Sequence, residues 1–200
     1  MSLTVTQLSK RFENGNEIFK DISFEVQKGE LAIVRGPSGV GKTTLLHCIM
    51  GILKPTYGEV FVDQMNVTSE TPRSRSIGIM MQQQPLYEHL SVKRNLEMAS
   101  NKKCHESIAA ILTQLDLHNQ VNDTVANLSG GERKRVAFGR AIVNSPKVLL
   151  LDEPFVSLDD ALVQTLVNCI EDVCANQQCA VVLATHRHDI DALSTQTIEL

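Results

Sequence analysis

The sequence lacks any long hydrophobic run. Its longest apolar stretches, at 148–151 and 180–184, are far shorter than the roughly 20 residues needed to span a bilayer. Residues 1–10 also lack the basic and apolar regions of a secretory signal. The composition is that of an ordinary globular protein, with 42% hydrophobic and 21% charged residues and no internal repeat. We therefore expect residues 1–200 to form one domain that stays in the cytoplasm and does not itself cross a membrane.

Cysteine pairs and an excess of positive charge are also missing. The five cysteines include no C-x-x-C pair, which argues against zinc and disulfide frameworks and predicts reduced thiols packed as apolar side chains. These residues are Cys48, Cys104, Cys169, Cys174 and Cys179. The formal net charge of −4 provides no general attraction to nucleic acid, so we expect no nucleic-acid partner.

Hydrophobic patterns predict a mostly parallel α/β fold. Alternating residues at 3–8 and 22–26 flank the turn sequence 14–16 and predict an antiparallel pair of strands. Further on, continuous apolar runs, typical of strands covered on both faces of a parallel sheet, alternate with helical patterns. The predicted strands are 31–34, 59–62, 77–81, 148–151 and 179–184, and the predicted helices are 43–50, 132–143 and 160–174. Helical spacing from 91 to 117 indicates a helical subdomain inserted at residues 86–128.

A glycine-rich loop lies between a predicted strand and a predicted helix. Residues 36–43 match the pattern G-x-x-x-x-G-K-[ST], in which backbone N–H groups converge on phosphate oxygens. Lys42 would neutralise the outer phosphates, and the hydroxyl of Thr43 would bind Mg²⁺. The alternative is a glycine-rich turn with an exposed lysine. The predicted phosphate-binding residues are Gly36, Pro37, Ser38, Gly39, Val40, Gly41, Lys42, Thr43 and Thr44.

Two carboxylates follow the buried run at 148–151, at the sheet edge where open α/β folds bind ligands. Asp152 is the candidate to hold Mg²⁺, and Glu153 is the candidate to orient and polarise an attacking water molecule. The simpler alternative for both residues is a polar strand end that turns at Pro154.

A second anion site is predicted at residues 128–132. Ser129 and Glu132 fit the capping box of a helix N-terminus. Capping does not account for Gly130 and Gly131, because glycine in a helix interior costs up to about 1 kcal/mol relative to alanine. The serine hydroxyl and the bare amides therefore predict that another group, a second phosphate, approaches this backbone closely.

These motifs resemble, in type and order, those of the ABC ATPases. Residues 128–132 are similar to the LSGGQ signature, with Glu132 in place of the usual glutamine. The resemblance covers nearly the whole chain and implies a P-loop NTPase of the ABC ATPase type, with a mostly parallel sheet flanked by helices and an N-terminal antiparallel β part. It also implies ATP and Mg²⁺ as ligands. The partner would be a second copy or a homologous ATPase in a head-to-tail dimer, so that the signature of one subunit covers the ATP on the P-loop of the other.

The resemblance assigns four further residues by position. Phe12 is similar to the aromatic that stacks on adenine, and Gln82 to the glutamine that contacts Mg²⁺ and senses the membrane partner. Asp159 is similar to the D-loop aspartate, and His186 to the switch histidine near the γ-phosphate. Each assignment has an alternative. Phe12 could be a core aromatic, His186 could be a structural histidine, and the assignment of Gln82 could be shifted by one residue. The resulting catalytic set is Lys42, Gln82, Glu153 and His186, and the metal set is Thr43, Gln82 and Asp152.

Two departures from an average family member are visible. The D-loop sequence 156–159 reads V-S-L-D instead of S-A-L-D. The chain reaches Leu200 soon after the switch region, where the family continues through another strand, so we expect a weakened sheet edge or one covered by a partner. The basic residues that follow the signature are expected on a solvated or subunit-facing helix surface; they are Arg133, Lys134, Arg135 and Arg140.

The predicted function is ATP hydrolysis that powers transport through separate integral-membrane subunits. The chain would sit as a peripheral subunit on the cytoplasmic face of the membrane, docked where Gln82 meets the helical insertion. Residues 72–78, Gln82 and residues 86–92 resemble bacterial importer ATPases, although short exporter and lipoprotein-releasing ATPases are also similar. Cargo and direction therefore stay open. A soluble ABC ATPase of DNA repair or translation is the alternative, although such proteins usually carry coiled-coil insertions or two ATPase domains. A P-loop kinase or GTPase would not need residues 128–132.

Overall fold

The computed structural model describes residues 2–83, 85–100 and 105–200 of the chain. Its strands are β1 Leu3–Arg11, β2 Glu17–Val26, β3 Leu31–Arg35, β4 Tyr57–Val62, β5 Met65–Asn66, β6 Ile77–Met80, β7 Val148–Asp152, β8 Ala180–Ala184 and β9 Gln196–Glu199. Its α-helices are α1 Lys42–Met50, α2 Val92–Ala99, α3 His105–Gln114, α4 Gly130–Ile142 and α5 Asp160–Gln177. Within the described residues no helix combines the length and the apolar character needed to cross a bilayer.

The strands form two sheets. An antiparallel sheet has the order β2-β1-β4-β5, and a parallel sheet has the order β6-β7-β8-β3-β9. In β1, Leu3, Val5 and Leu8 are buried between partly or fully exposed neighbours, which is the half-buried pattern expected of an antiparallel sheet. The predicted antiparallel pair is confirmed, with Leu3 opposite Val26, and both strands are longer than predicted.

The parallel sheet separates two hydrophobic cores. Leu149 and Leu151 of β7 belong to a core that also contains residues of α3, α4 and α5. Val148 and Leu150 belong to the core shared with α1 and the antiparallel sheet. Both faces of β7 are therefore covered, which explains its apolar sequence without alternation. Because neighbouring strands run the same way, β3, β6, β7 and β8 all end along one edge of the sheet.

Two features of the fold were not predicted. Gln196–Glu199 forms a further strand, β9, which pairs in parallel with β3, so the chain itself covers β3 on this side of the sheet. Only Ile198 of that strand is buried, so its sequence pattern is weak. Helix α4 begins at Gly130 rather than at Glu132, since Ser129 caps it.

Two further predictions concern the cysteines and the helical insertion. Four cysteines are free and buried, as expected of reduced apolar side chains, whereas Cys104 lies outside the described residues. Segment 86–128 contains α2, α3 and the 3-10 helix Val125–Asn127. Its division from the rest of the chain as a subdomain stays a prediction.

Candidate nucleotide-binding site

The glycine-rich loop joins β3 to α1 and closes around its own lysine. The side chain of Lys42 is buried, and its Nζ donates hydrogen bonds to the carbonyl oxygens of Gly36 (2.8 Å) and Pro37 (3.1 Å). Gly41 precedes the helix with φ 121°, and a Cβ there would come 2.5 Å from Cγ2 of Ile18. Only glycine fits this position. The loop residues predicted to bind phosphate, 36–44, therefore lie together at the N-terminus of α1, where the helix dipole favours anions.

Asp152 is the last residue of β7 and reaches the first turn of α1. Its Oδ2 accepts a hydrogen bond from Oγ1 of Thr43 at 2.7 Å. Burial raises the pKa of the Asp152 carboxyl, and the Thr43 hydroxyl opposes that rise. Its other oxygen, Oδ1, is buried and has no hydrogen-bond partner among the described residues. A hydroxyl and a carboxylate with an unused buried oxygen form a donor set that suits Mg²⁺.

Glu153 follows in an uncommon backbone conformation. Its φ of 48° lies in the left-handed region, and its N–H donates to the carbonyl of Ala184 at the end of β8 (2.9 Å). A non-glycine residue held there costs of order 1–3 kcal/mol, and such residues cluster at functional sites. The carboxylate lies 3.1 Å from Nδ1 of His186 and 4.0 Å from Nζ of Lys42. Three residues that are distant in sequence thus converge at one edge of the sheet.

Gln82 follows β6 at the same edge. A cavity of about 570 Å³ contains it, and the lining residues are Thr43, His47, Met81, Gln82, Gln83, Pro85 and Asp152. The structure therefore brings Gln82 to the Thr43 and Asp152 pair, although Gln83 lines the same cavity. The third glutamine, Gln84, lies outside the described residues. His47 was not predicted as a site residue, although its position four residues after Thr43 puts it on the same face of α1.

Phe12 follows the last residue of β1 and is not part of either core. It is 39% exposed, and Nζ of Lys10 lies 5.3 Å from the centre of its ring. This exposure argues against the core-aromatic alternative. Its role in stacking on adenine stays a prediction.

The signature residues form the N-terminus of α4. Ser129 caps the helix, its N–H and Oγ donate to Oε2 of Glu132 (2.8 and 2.7 Å), and the capping box is complete. These bonds lower the pKa of the Glu132 carboxyl. A Cβ on Gly131 would come 2.5 Å from Cδ1 of Leu162 in α5, whereas a Cβ on Gly130 would meet nothing within 4 Å. The close approach predicted for both glycines is thus made by the chain itself at Gly131, and Gly130 faces open space.

Asp159 is an exposed residue at the start of α5. Its Oδ1 accepts from the N–H of Leu162 at 2.9 Å, so it caps that helix. Since Leu162 also touches the backbone at Gly131, the D-loop segment and the signature are neighbours. No signature residue is among the described residues that line the cavity at Thr43. The nucleotide contact predicted for Asp159 stays a prediction.

The basic side chains of α4 are partly buried and make contacts within the chain, so they do not form a fully solvated surface, and the subunit-facing alternative stays a prediction. Arg140 donates to the carbonyl of Pro85 (2.6 Å), and its guanidinium lies 5.0 Å from the centre of the Tyr87 ring. Lys134 donates to the carbonyls of Pro154 (3.2 Å) and Val156. These cations tie α4 to the loops that follow Gln82 and Glu153. Arg133 pairs with Glu88, and Arg135 lies 3.9 Å from Asp116.

Comparisons with known proteins agree with this arrangement. A family model described as ABC transporter matches residues 19–156, more than half of the chain. The thiamine import ATP-binding protein ThiQ of Yersinia pestis is 35% identical over 82% of this chain and 72% of its own length. The sn-glycerol-3-phosphate import ATP-binding protein UgpC of Vibrio vulnificus (strain YJ016) is 38% identical over 80% of this chain and 45% of its own length. The ATP-binding cassette MJ0796, solved as a dimer in a post-hydrolysis state bound to ADP and Pi, superposes with a TM-score of 0.88 at 26% identity, covering 99% of this chain and 94% of that one.

The fold and the site together define a P-loop NTPase of the ABC type, which confirms the predicted fold class. The chain belongs to the ABC transporter family, as an ATP-binding subunit for transport. This membership does not support the alternative of a soluble ABC ATPase acting in DNA repair or translation.

Proposed function

We propose that the chain hydrolyses ATP at the interface of a head-to-tail dimer and that this reaction powers import through separate integral-membrane subunits. The observation that carries the proposal is the convergence of Lys42, Glu153 and His186 beside the pair formed by Thr43 and Asp152. An NTPase needs a cation for the phosphates, a carboxylate on the metal side and a group that activates water. One edge of the sheet supplies all three.

Binding of ATP falls to the glycine-rich loop and to Phe12. The amine of Lys42 is held by two loop carbonyls, so it can exchange one of them for a phosphate oxygen without leaving the loop. The N-terminus of α1 adds favourable dipole charge. Phe12 is exposed at the end of β1, where its ring can stack on adenine.

Hydrolysis falls to Glu153 and His186. Glu153 accepts a proton from the water whose oxygen attacks the γ-phosphorus, while the bond between that phosphorus and the ADP oxygen breaks. His186, at 3.1 Å, holds the carboxylate in place. Lys42 offsets negative charge on the phosphates.

Mg²⁺ fits the oxygen donors beside Thr43. Thr43 and Asp152 would hold the ion, with Gln82 lining the same cavity, and the unused Oδ1 of Asp152 is the observation that supports this. When bound, Mg²⁺ supplies positive charge next to the phosphates.

The second half of the site comes from another subunit. The open backbone at Gly130 and the hydroxyl of Ser129 suit the phosphate of an ATP held on a partner's loop. Asp159 begins the neighbouring helix and would join the same interface. The dimer of MJ0796 bound to ADP and Pi supports this assembly.

Coupling to the membrane subunits would pass through Gln82 and α4. A cavity of about 610 Å³ opens between β6, α2 and α4, and its lining includes Met80, Met98 and Arg140. Met98, one of its lining residues, is 58% exposed and is available for apolar contact with a partner. We expect docking there, with the chain on the cytoplasmic face of the membrane. ThiQ and UgpC are named for import of different cargoes, which favours import and suggests that other subunits recognise the cargo.

The test is ATP hydrolysis by the purified chain and by its Lys42→Ala variant, with Mg²⁺ and with EDTA. We expect Mg²⁺-dependent release of phosphate by the natural chain and loss of nearly all of it in the variant, since the variant lacks the cation next to the outer phosphates. The control is thermal unfolding of both proteins, which should show that the variant is folded. Undiminished hydrolysis by Lys42→Ala, or none by the natural chain alone or with its membrane subunits, would contradict the proposal.

A further inference from the structure

A buried arginine immediately precedes the phosphate-binding loop and has no part in the proposed chemistry. Arg35 is the last residue of β3 and is 6% exposed. A buried charge is costly unless it is paired and hydrogen-bonded. Its partners therefore indicate what this residue does.

Both branches of the Arg35 guanidinium bind the segment that contains His186. One terminal nitrogen donates to the carbonyl of Thr185 (3.0 Å), the residue between β8 and His186. The other donates to the carboxylate of Asp191, which begins a 3-10 helix after that segment. The second oxygen of Asp191 lies 3.5 Å from Nδ1 of His188. One side chain thus fastens both ends of segment 185–191.

We propose that Arg35 is a positioning residue for His186, an inference that rests on the proposed ATPase function. Thr185 is joined to His186 by one peptide bond, so the direction of its carbonyl helps to set where the imidazole meets Glu153. Arg35 is likewise joined to Gly36, which begins the phosphate-binding loop. The guanidinium therefore couples the position of the switch histidine to the position of the phosphates.

The planar fork of arginine is what this position requires. It offers separate N–H groups to a carbonyl and to a carboxylate, whereas lysine offers one point charge on a flexible stem. A purely structural role of Arg35 would give a different pattern of stability and turnover. Loss of a buried ion pair would lower stability and would lower turnover to the same degree whether or not His186 is present.

The experiment is a double-mutant cycle of Arg35→Met with His186→Ala, measured as single-turnover ATP hydrolysis together with ATP affinity. Because small misplacements of a catalytic group can cost up to about 100-fold, we expect Arg35→Met to slow hydrolysis about tenfold or more when His186 is present. In the His186→Ala background the same change should have less than about a twofold effect, because residues that act together are not additive. ATP affinity should stay within about threefold, since the loop residues that contact phosphate are unchanged.

Two further variants keep the test decisive. Arg75→Met removes another buried arginine, one that donates to the carbonyls of Ile49 (2.8 Å) and Thr68 (2.7 Å), and its effect on hydrolysis should be the same in both backgrounds.

Asp191 is about half exposed, so Asp191→Asn should fold even if Arg35→Met does not, and it should slow hydrolysis only when His186 is present. Equal effects of the Arg35 or Asp191 change in both backgrounds, or loss of ATP affinity in parallel with turnover, would overturn the inference. Normal Mg²⁺-dependent hydrolysis by the natural chain in the same assay would show that the proposed function itself still stands.

Discussion

Asp152 and Glu153 are adjacent carboxylates that the fold places in different surroundings. Asp152 is buried, its pKa is raised by that burial, and one of its oxygens is bonded to Thr43. Glu153 turns out of the strand and lies between His186 and Lys42. One carboxylate is thus placed to hold a metal ion, and the next one along the chain is placed to accept a proton from water.

Replacing each of these two carboxylates by its amide should impair different steps of the reaction. Asp152→Asn removes negative charge beside the metal position and should weaken Mg²⁺-dependent binding of ATP. Glu153→Gln keeps size and polarity but cannot take a proton, so turnover should fall about 10²- to 10⁴-fold while ATP affinity is kept. Steady-state hydrolysis and equilibrium nucleotide binding of both variants measure this. Near-normal turnover by Glu153→Gln would remove Glu153 from the catalytic assignment.

Site residues that belong to contiguous motifs were the ones that sequence could predict. Lys42, Thr43, Asp152 and Glu153 each sit at a strand end or helix start that short-range patterns predict, and the structure brings them together. Arg35 could not be found in this way, because its partners lie 150 or more residues further along the chain. Only the pairing of β3 with β8 in the folded sheet brings these residues together.

The N-terminus of α4 carries two glycines with different surroundings. At Gly131 the helix backbone packs against Leu162 of α5, so a side chain has no room. At Gly130 there is open space on the side where a Cβ would point. Gly131 therefore serves the packing of α4 against α5, whereas the backbone at Gly130 is open to a group from outside the chain.

Alanine substitutions at this pair should separate stability from catalysis. Gly131→Ala would place its Cβ 2.5 Å from Leu162 and should cost about 1–3 kcal/mol, a typical value for overpacking. Gly130→Ala should keep or slightly raise the melting temperature, because alanine favours a helix more than glycine does. It should still slow hydrolysis, because the methyl group intrudes where the partner's phosphate approaches. Thermal unfolding and ATPase assays of both variants check this. Hydrolysis by Gly130→Ala at the natural rate would contradict a phosphate site at that backbone.

Elements were predictable where their residues carry a strong pattern. The buried strands β3, β7 and β8 were predicted to within one or two residues at each end because continuous apolar runs mark them. Strand β9 has only one buried residue and was missed, since its partner β3 lies far away in sequence. The contacts that the basic face of α4 makes within the chain were not predicted, for a related reason. Its charges are paired with loops whose positions depend on the tertiary fold.

At the scale of the whole molecule, the two predicted phosphate sites occupy separate surfaces. The cavity at Thr43 and Asp152 is lined by residues of α1, β7 and the segment after β6. The signature caps α4 and touches α5 instead. In the proposed function, an ATP molecule held by the phosphate-binding loop would leave the signature of its own chain unused, and a second subunit would complete the site.

This arrangement predicts a dimer that forms on ATP. In Glu153→Gln, ATP should bind and persist, so that each bound nucleotide joins two chains and the light-scattering mass should double when ATP and Mg²⁺ are added. The matched control adds Ser129→Arg to Glu153→Gln. The arginine should crowd the signature surface without touching the phosphate-binding loop, so this protein should bind ATP and remain monomeric. If Glu153→Gln binds ATP yet stays monomeric at high protein concentration, either the chain pairs only with a different ATPase subunit or the proposed head-to-tail dimer is wrong. Mixing with candidate partner subunits distinguishes the two. Dimers formed equally well by the Ser129→Arg variant would show that the interface lies elsewhere.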